Sequence, residues 1–359
     1  MRAVGQQQSV RAEDVAVMGI TEILRHIPRI FRSYRRLVRS IYATRPHLAV
    51  LIDFPDVNFR LAKHLRKAGI PVLWLVSPQL WAWKRRRIRW MRSRVDHIFV
   101  IFPFEQAFYT ARGVPSTFIG HPLSNLPLPT TPRKQFAETH QLNPAREWIA
   151  MLPGSRSREL QANLPTLLAA ADQVHRADPL RFQFLLPVAP TLSSAAVREL
   201  VQRIQSNLAS APVPVTLVGN AREALHHARV AAVASGTATV QAVLIGTPFV
   251  VVYRVSELTY RLARMLIHYP AEIPATRDRF GNLPVAMPNL LAGRRLVPEL
   301  LNRQFTADAV AAHWLMLAND TTARREQVAG LAALQTQLAP PSDGAAPMDY
   351  VIRHIVGLL

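Results

Sequence analysis

The chain has 359 residues, 43 Lys+Arg against 23 Asp+Glu, a net charge of +20, a hydrophobic fraction of 49% and no cysteine. This length exceeds one domain of about 100–200 residues and points to two. The apolar content excludes a disordered chain, and the absence of thiols excludes disulfides, thiolate metal sites and a cysteine nucleophile.

The charge is uneven. Residues 1–120 hold 21 Lys+Arg against 7 Asp+Glu, so the N-terminal third is the expected docking surface for an anionic partner. The opening MRAVGQQQSVRAEDV lacks an apolar h-region and does not read as a signal peptide. From Ile20 to Tyr42, Ile23, Ile27, Ile30, Tyr34, Leu37 and Ile41 recur at helical spacing among Arg25, Arg29, Arg32, Arg36 and Arg39. This predicts a basic amphipathic helix, kinked or started at Pro28, whose outer face is either solvated or turned to anionic lipid headgroups.

Eight short apolar runs follow: LAVLID (48–53), PVLWLV (71–76), HIFVI (97–101), WIAML (148–152), FQFLLP (182–187), VTLV (215–218), VAAVA (230–234) and PFVVVY (248–253). Strands apolar on both faces, alternating with helix-length amphipathic segments, predict an α/β protein with parallel sheets. Val230 to Tyr253 carries no charge and is long enough to span a bilayer. Ser235-Gly236-Thr237 and Gly246-Thr247-Pro248 break it, so it reads as strand, turn, helix, turn, strand. The proline-rich HPLSNLPLPTTPRKQ (121–135) reads as an interdomain linker, and a second proline-rich break, Ala339 to Pro347, precedes a last amphipathic helix. The expected organisation is a first α/β domain over 1–122, a linker over 123–135, a second α/β domain over 136–338, and a C-terminal linker and helix over 339–359. The two domains are expected to face each other across a cleft.

Two turns carry anion chemistry. WIAML runs into PGSRSRE, and VAAVA into SGTAT; each is a strand ending in a Gly-Ser or Ser-Gly turn that opens a helix, where free backbone amides and the helix dipole favour a phosphate. Gly154, Ser155, Arg156 and Ser235, Gly236, Thr237, Thr239 are therefore candidate nucleotide-diphosphate ligands, with Arg156 as a bidentate clamp. Neither turn is a P-loop, and no GxGxxG occurs. LAVLI delivers Asp53 at its carboxyl end, followed by Asp56. An acid there is a candidate general base, or a cap for the next helix. His121, in FIGHP, follows another strand near the expected cleft. In SPQLWAWKRRRIRWMRSR (77–94) the first seven residues place Ser77, Pro78, Gln79 and Trp81 at the sheet's carboxyl edge. The remainder predicts a helix with Ile88, Met91 and Val95 inward and Arg85, Arg89 and Arg92 outward.

SPQLWAW, FIGHPL, LPGSR, SGTAT and MPNLLAGRRLVPELL, in this order and after IDFPD, closely resemble lipid-A-disaccharide synthase, a bacterial glycosyltransferase family, along nearly the whole chain. The resemblance implies a two-domain GT-B fold. It also implies an inverting transfer, without cofactor or metal, from UDP-2,3-diacylglucosamine to 2,3-diacylglucosamine 1-phosphate, releasing UDP. By resemblance Asp53 matches the family's essential aspartate, Arg156 its essential arginine in the donor site, Asn289 its asparagine in PNLLAG, and Ser235 to Thr239 the UDP-binding segment. Ser77, Pro78, Gln79, Trp81 and His121 would shape the acceptor side. Substrates that keep acyl chains in a membrane imply a peripheral enzyme on the cytoplasmic face of the inner membrane, docked through Arg32, Arg36, Arg85, Arg89 and Arg92. A homodimer is compatible with this reading.

The chain departs from the family in three places. A first βαβ unit with a GETSGD-like turn, at least roughly 30 residues, is absent before Met1. This implies an N-terminally truncated first domain, through either an internal start or a truncated product that binds UDP or lipid without turnover. Gln241 stands where the family has an acid expected on the ribose hydroxyls, and Gln can still donate and accept. The segment HYPAEIPATRDRFGNLPVAMPN is longer than expected, suggesting a lid or a lineage-specific loop. The alternative of a basic nucleic-acid binder would show a steep salt dependence. The sequence holds no nucleic-acid motif and that reading leaves both phosphate turns idle, so nucleic acid is not expected as a partner.

Overall fold

The computed structural model describes residues 20–208, 212–341 and 345–358. The opening fifteen residues lie outside it, as do the side chains of residues 20–30, which include Ile23, Arg25, Ile27, Arg29 and Ile30. In chain order the elements are α1 (Ile20–Thr44), β1 (Ala49–Ile52), α2 (Pro55–Lys67), β2 (Val72–Leu75), α3 (Ile88–Arg94), β3 (His97–Val100), α4 (Pro103–Thr110) and β4 (Ser116–Phe118). Then come α5 (Arg133–His140), β5 (Glu147–Leu152), α6 (Ser157–Ala177), β6 (Phe182–Pro187), α7 (Ser194–Gln205), β7 (Val215–Val218), α8 (Ala221–His227), β8 (Val230–Ala234), α9 (Thr237–Ile245) and β9 (Phe249–Tyr253). The last are α10 (Glu257–Leu266), α11 (Met287–Ala292), β10 (Glu299–Leu301), α12 (Ala307–Ala318), α13 (Thr322–Leu338) and α14 (Pro347–Val356).

All eight apolar runs form strands. The uncharged stretch Val230 to Tyr253 is β8, a turn, α9, a turn and β9. All five residues of β8 are buried, as a strand covered on both faces requires. Among the described residues no helix is long and apolar enough to cross a membrane. Two strands lie outside the eight runs: β4 is the strand before His121, and β10, whose three residues ELL are too short to show a pattern, exists because it pairs with β9 at the sheet edge. α1 runs through Pro28 rather than starting there.

The chain forms two compact units: Met1–Ile101, Glu105–Ile119 and Asp349–Leu359 make the first, Phe102–Phe104 and Gly120–Met348 the second. Unit one holds a parallel four-stranded sheet in the order β1-β2-β3-β4. Leu73, Leu75, Phe99 and Ile119 pack there with Val351 of α14, so the C-terminal helix belongs to the first sheet. β1 is an edge strand with Leu51 buried but Val50 and Ile52 37% and 50% exposed. Unit two holds six parallel strands in the order β10-β9-β8-β5-β6-β7. Its core joins Ile149 and Met151 of β5, Phe184 of β6 and Val250 of β9 to Leu164, Leu167 and Leu168 of α6 and Trp314 and Leu317 of α12.

The segment expected as the interdomain linker is fastened to unit two. The Thr131 hydroxyl donates to Glu223, and the Arg222 guanidinium donates to the carbonyls of Leu126 and Pro127. Arg133 opens α5, donates to the carbonyls of His227 and Arg146, and lies 3.6 Å over the Trp148 ring. The segment opens with a 3-10 turn, Pro122–Asn125, and only the proline-rich stretch between it and α5 runs without regular structure.

Two histidines are built into the folds as neutral rings. His97 of β3 stacks on His354 of α14 at 4.3 Å, and burial, then His354, pushes it down to about 4. His121 accepts from the Leu123 amide through Nδ1, and burial pushes it down to about 4 as well. A folded pKa below the unfolded value of about 6.5 means that the unfolded chain takes up protons first. Stability therefore falls as pH drops from about 6.5 towards 4. Thermal melts at pH 7.5 and pH 5 are expected to show a lower Tm at pH 5, and His97→Phe or His121→Asn should shrink the difference.

Candidate functional site

In unit two the strand order reverses at β5: β6 and β7 lie on one side, β8, β9 and β10 on the other. Chains leaving the carboxyl ends of β5 and β8 part there and open a crevice, the place where ligands of such sheets bind. The two glycine turns lie at those two ends. They line one pocket of about 380 Å³ with Gly154, Ser155, Arg156 and Glu159 on the β5 side and Ser235, Gly236, Thr237 and Gln241 on the β8 side. Separated by some eighty residues of sequence, they form one site.

Gly154 has φ 130 and Gly236 φ 146, left-handed values that side chains rarely adopt. At Gly154 a Cβ would also fall 2.5 Å from Glu159 Oε2. Glu159 fills this turn. One carboxylate oxygen accepts from the Ser155 amide at 3.0 Å and the other from Arg156 Nη1 at 2.9 Å. A carboxylate is thus seated on the amide and guanidinium that a diphosphate would take, at the start of α6, where the helix dipole favours negative charge. Sequence reasoning missed Glu159, although it stands three residues after Arg156 in a capping position. Thr239 does not line the pocket: it is buried, and its hydroxyl donates to the Gly236 carbonyl at 2.7 Å, holding the turn's shape.

In unit one Asp53 leaves β1 exposed, and it caps no helix: Phe54 occupies the N-cap of α2 without a side-chain bond. Asp53 and Phe54 have φ 44 and 42, and Val76, at the end of the neighbouring β2, has φ 62. Three side-chain-bearing residues in the left-handed region cost about 1–3 kcal/mol each and cluster at functional edges. The strain is held by bonds to buried groups. Asn58 Nδ2 donates to the carbonyls of Ile52 and Asp53, Trp74 Nε1 donates to that of Val76, and the Val76 amide donates to Phe99. Asp56 pairs with Arg87 at 2.6 Å, and that hydrogen bond holds its carboxyl below the usual range.

Several residues expected at the site are buried and hydrogen-bonded within the protein. Ser77, Pro78 and Trp81 are buried; Gln79 alone of the four is exposed. Glu105, itself buried, accepts from the Ser77 hydroxyl at 2.8 Å and the Trp81 indole at 3.0 Å, while the Tyr109 hydroxyl donates to the Pro78 carbonyl. A lone acid in an apolar helix gave no sign of this. His121, expected at the acceptor side, accepts from the Leu123 amide through Nδ1 in unit two. Asn289 is 1% exposed and saturated: it donates to the Val297 carbonyl and Glu299 and accepts from the Val297 amide. Glu299 also accepts from the amides of Val285 and Ala286, and burial raises its pKa. Asn289 therefore pins α11 to β10.

The basic stretch divides. Residues 85–87 form a 3-10 turn before α3, Met91 and Val95 are buried, and Arg94 donates to the Phe59 carbonyl over Trp90. Arg85, Arg89 and Arg92 are exposed on α3 and its entry turn, as are Arg32 and Arg36 on α1.

Two parallel α/β units, the second with paired glycine turns at its switch point, make up the GT-B glycosyltransferase fold. A UDP-GlcNAc 2-epimerase from Neisseria meningitidis, solved bound to UDP-GlcNAc, shares it: TM-score 0.58 at 12% identity, covering 95% of this chain and 84% of that one. The family described as lipid-A-disaccharide synthetase matches residues 1–341. The lipid-A-disaccharide synthase of Acidobacterium capsulatum is 48% identical over 99% of this chain and 86% of its own length. That of Koribacter versatilis is 45% identical over 100% of this chain and 88% of its own. The chain belongs to the lipid-A-disaccharide synthase family, a hexosyltransferase of lipid A biosynthesis.

Asn289→Ala is expected to leave the Val297 amide and the Glu299 carboxyl short of a partner inside the protein, at about 1–3 kcal/mol. The expected result in a denaturant titration is a lower midpoint, with the UDP affinity of the folded fraction kept; an unchanged midpoint with weakened UDP binding would restore Asn289 as a ligand.

Proposed function

We propose that the chain joins UDP-2,3-diacylglucosamine to 2,3-diacylglucosamine 1-phosphate with inversion, releasing UDP, on the cytoplasmic face of the inner membrane. The observation that carries this reading is the convergence of the turns at Gly154 and Gly236 on one pocket at the switch point of unit two. On this reading the donor diphosphate displaces Glu159 from the Ser155 amide and Arg156, and Gln241 meets the ribose. Charge grows on the leaving diphosphate as the glycosidic bond breaks. Arg156 and the amides at the start of α6 would offset it from fixed positions, which is worth more than mobile water.

Asp53 takes the proton of the attacking acceptor hydroxyl. Its support is the strained edge of unit one: an exposed carboxylate on a left-handed turn, held by Asn58 from behind. Ordering of that turn by buried bonds fits a base that must meet one hydroxyl in one orientation. Gln79, exposed beside buried Ser77 and Trp81, would be the part of SPQLW that faces the acceptor. Arg32 and Arg36 on α1, together with Arg85, Arg89 and Arg92, would hold unit one on an anionic bilayer.

UDP release from the two diacylated substrates tests the site. Asp53→Ala is expected to lose about 10²–10⁴ in kcat and Arg156→Ala about 10²–10³, with melting temperatures near wild type; full rates in both would remove the assignment. UDP binding without turnover in the wild type would identify a binding remnant instead. In a separate flotation assay, reversing the charge of Arg85, Arg89 and Arg92 should weaken binding to vesicles containing anionic lipid while UDP affinity is kept, and equal flotation would refute the docking face.

A further inference from the structure

A second cavity of unit two, about 260 Å³, lies against the first: Ser235 lines both. Its character is opposite. Val255, Ala263, Ile267, Leu283, Val285 and Leu301 make its walls, from α10 on one side and the 277–285 segment and β10 on the other. It exceeds the about 150 Å³ apolar cavity that accepts a benzene. Tyr253 is a second link between the two spaces. It lines the apolar cavity, and its phenol feels the charges of Glu159 and Arg156 in the crevice while burial raises its pKa. A third cavity of the unit, beside Arg295 and His313, shares no residue with the donor crevice.

Polar residues of the same lining, Tyr260, Arg264, Arg277 and Asn282, hold the walls in place. Asn282 is buried, accepts from the Tyr260 hydroxyl of α10 at 2.5 Å, and its backbone N–H donates to the Asp278 carboxylate at 2.7 Å. Arg264 and Arg277 donate to the carbonyls of Phe280 and Gly281. The long segment ahead of Asn289 is thus tied under α10 as a fixed wall. The adjoining face of α10 carries Leu258, Leu262, Met265 and Leu266, between 47% and 71% exposed. A helix that leaves four such side chains in water while its next face lines an apolar cavity suits a lipid.

We propose that this cavity receives an acyl chain of the nucleotide-sugar donor, and that Ala263, Ile267 and Val285 set the chain length accepted. This rests on the reading of the Gly154 and Gly236 turns as the diphosphate site. With the diphosphate there, Ser235 marks where the sugar end begins, and the apolar space starts at that residue. Each methylene that leaves water for such walls contributes about 0.8 kcal/mol, a factor of about 4 in affinity.

The test measures Kd by calorimetry for UDP and for soluble UDP-glucosamines carrying two butanoyl, hexanoyl or octanoyl chains, with no turnover needed. In the wild type, Kd is expected to fall about 2–4-fold per added methylene along the series. Ala263→Phe, which fills the cavity, should weaken the octanoyl donor at least about 10-fold, leaving UDP and the butanoyl donor unchanged. Ile267→Ala, which enlarges the cavity, should flatten the length dependence, so the proposal does not hang on one variant folding. A series with no length dependence, or length profiles unmoved in both variants while UDP still binds, overturns the acyl site alone. Failure of UDP itself to bind overturns the diphosphate reading and this proposal with it.

Discussion

The second unit depends on one topological constraint: β5 is followed on one side by β6 and on the other, after a long excursion, by β8. At that reversal, the chain segments leaving two adjacent parallel strands move apart, and their first amides find no ladder partner. Such donors are met by side chains or by solvent. At the β5 end the partner is Glu159, whose carboxylate takes the Ser155 amide and the Arg156 guanidinium together. The turn is thereby closed from within the chain by a two-oxygen acceptor, the kind of group the proposed diphosphate would also present.

This arrangement explains why the two glycines stand where they do. Gly154 has a left-handed φ and no room for a Cβ beside Glu159, whereas Gly236 has the conformation alone. Around them the supports are apolar and saturated: β8 is buried throughout, Thr239 is spent on Gly236, and Asn289 and Glu299 lock α11 onto β10. The outward-facing polar groups are those left over, and Arg156, exposed at the turn, is foremost among them.

Unit one meets its constraint differently, by strain. Asp53, Phe54 and Val76 hold left-handed backbone at the carboxyl ends of adjacent strands, and buried bonds from Asn58 and Trp74 keep them there. Below them Glu105 gathers Ser77, Trp81 and the Ile101 amide. The motif SPQLW is thus preserved in shape from the inside. Family motifs of this kind mix residues that touch substrate with residues that hold those in position, and only burial separates them.

The sequence by itself determined the parallel α/β class, eight of the strands, the βαβ reading of Val230 to Tyr253, the two glycine turns and the family. All of these are local: they depend on apolar periodicity, on glycine, and on short motifs whose residues lie side by side in the chain. It could not separate ligands from supports. Ser77, Trp81, His121, Thr239 and Asn289 were expected at the site and are buried and hydrogen-bonded within the protein, whereas Asn58, Glu105, Glu159 and Glu299 gave little sign and hold the edges together. Nor could it place α14 on the first sheet, attach residues 121–135 to the second unit, or show the apolar cavity that Ser235 shares with the crevice. Those features depend on which distant side chains meet, and that is decided when strands far apart in sequence become neighbours in a sheet.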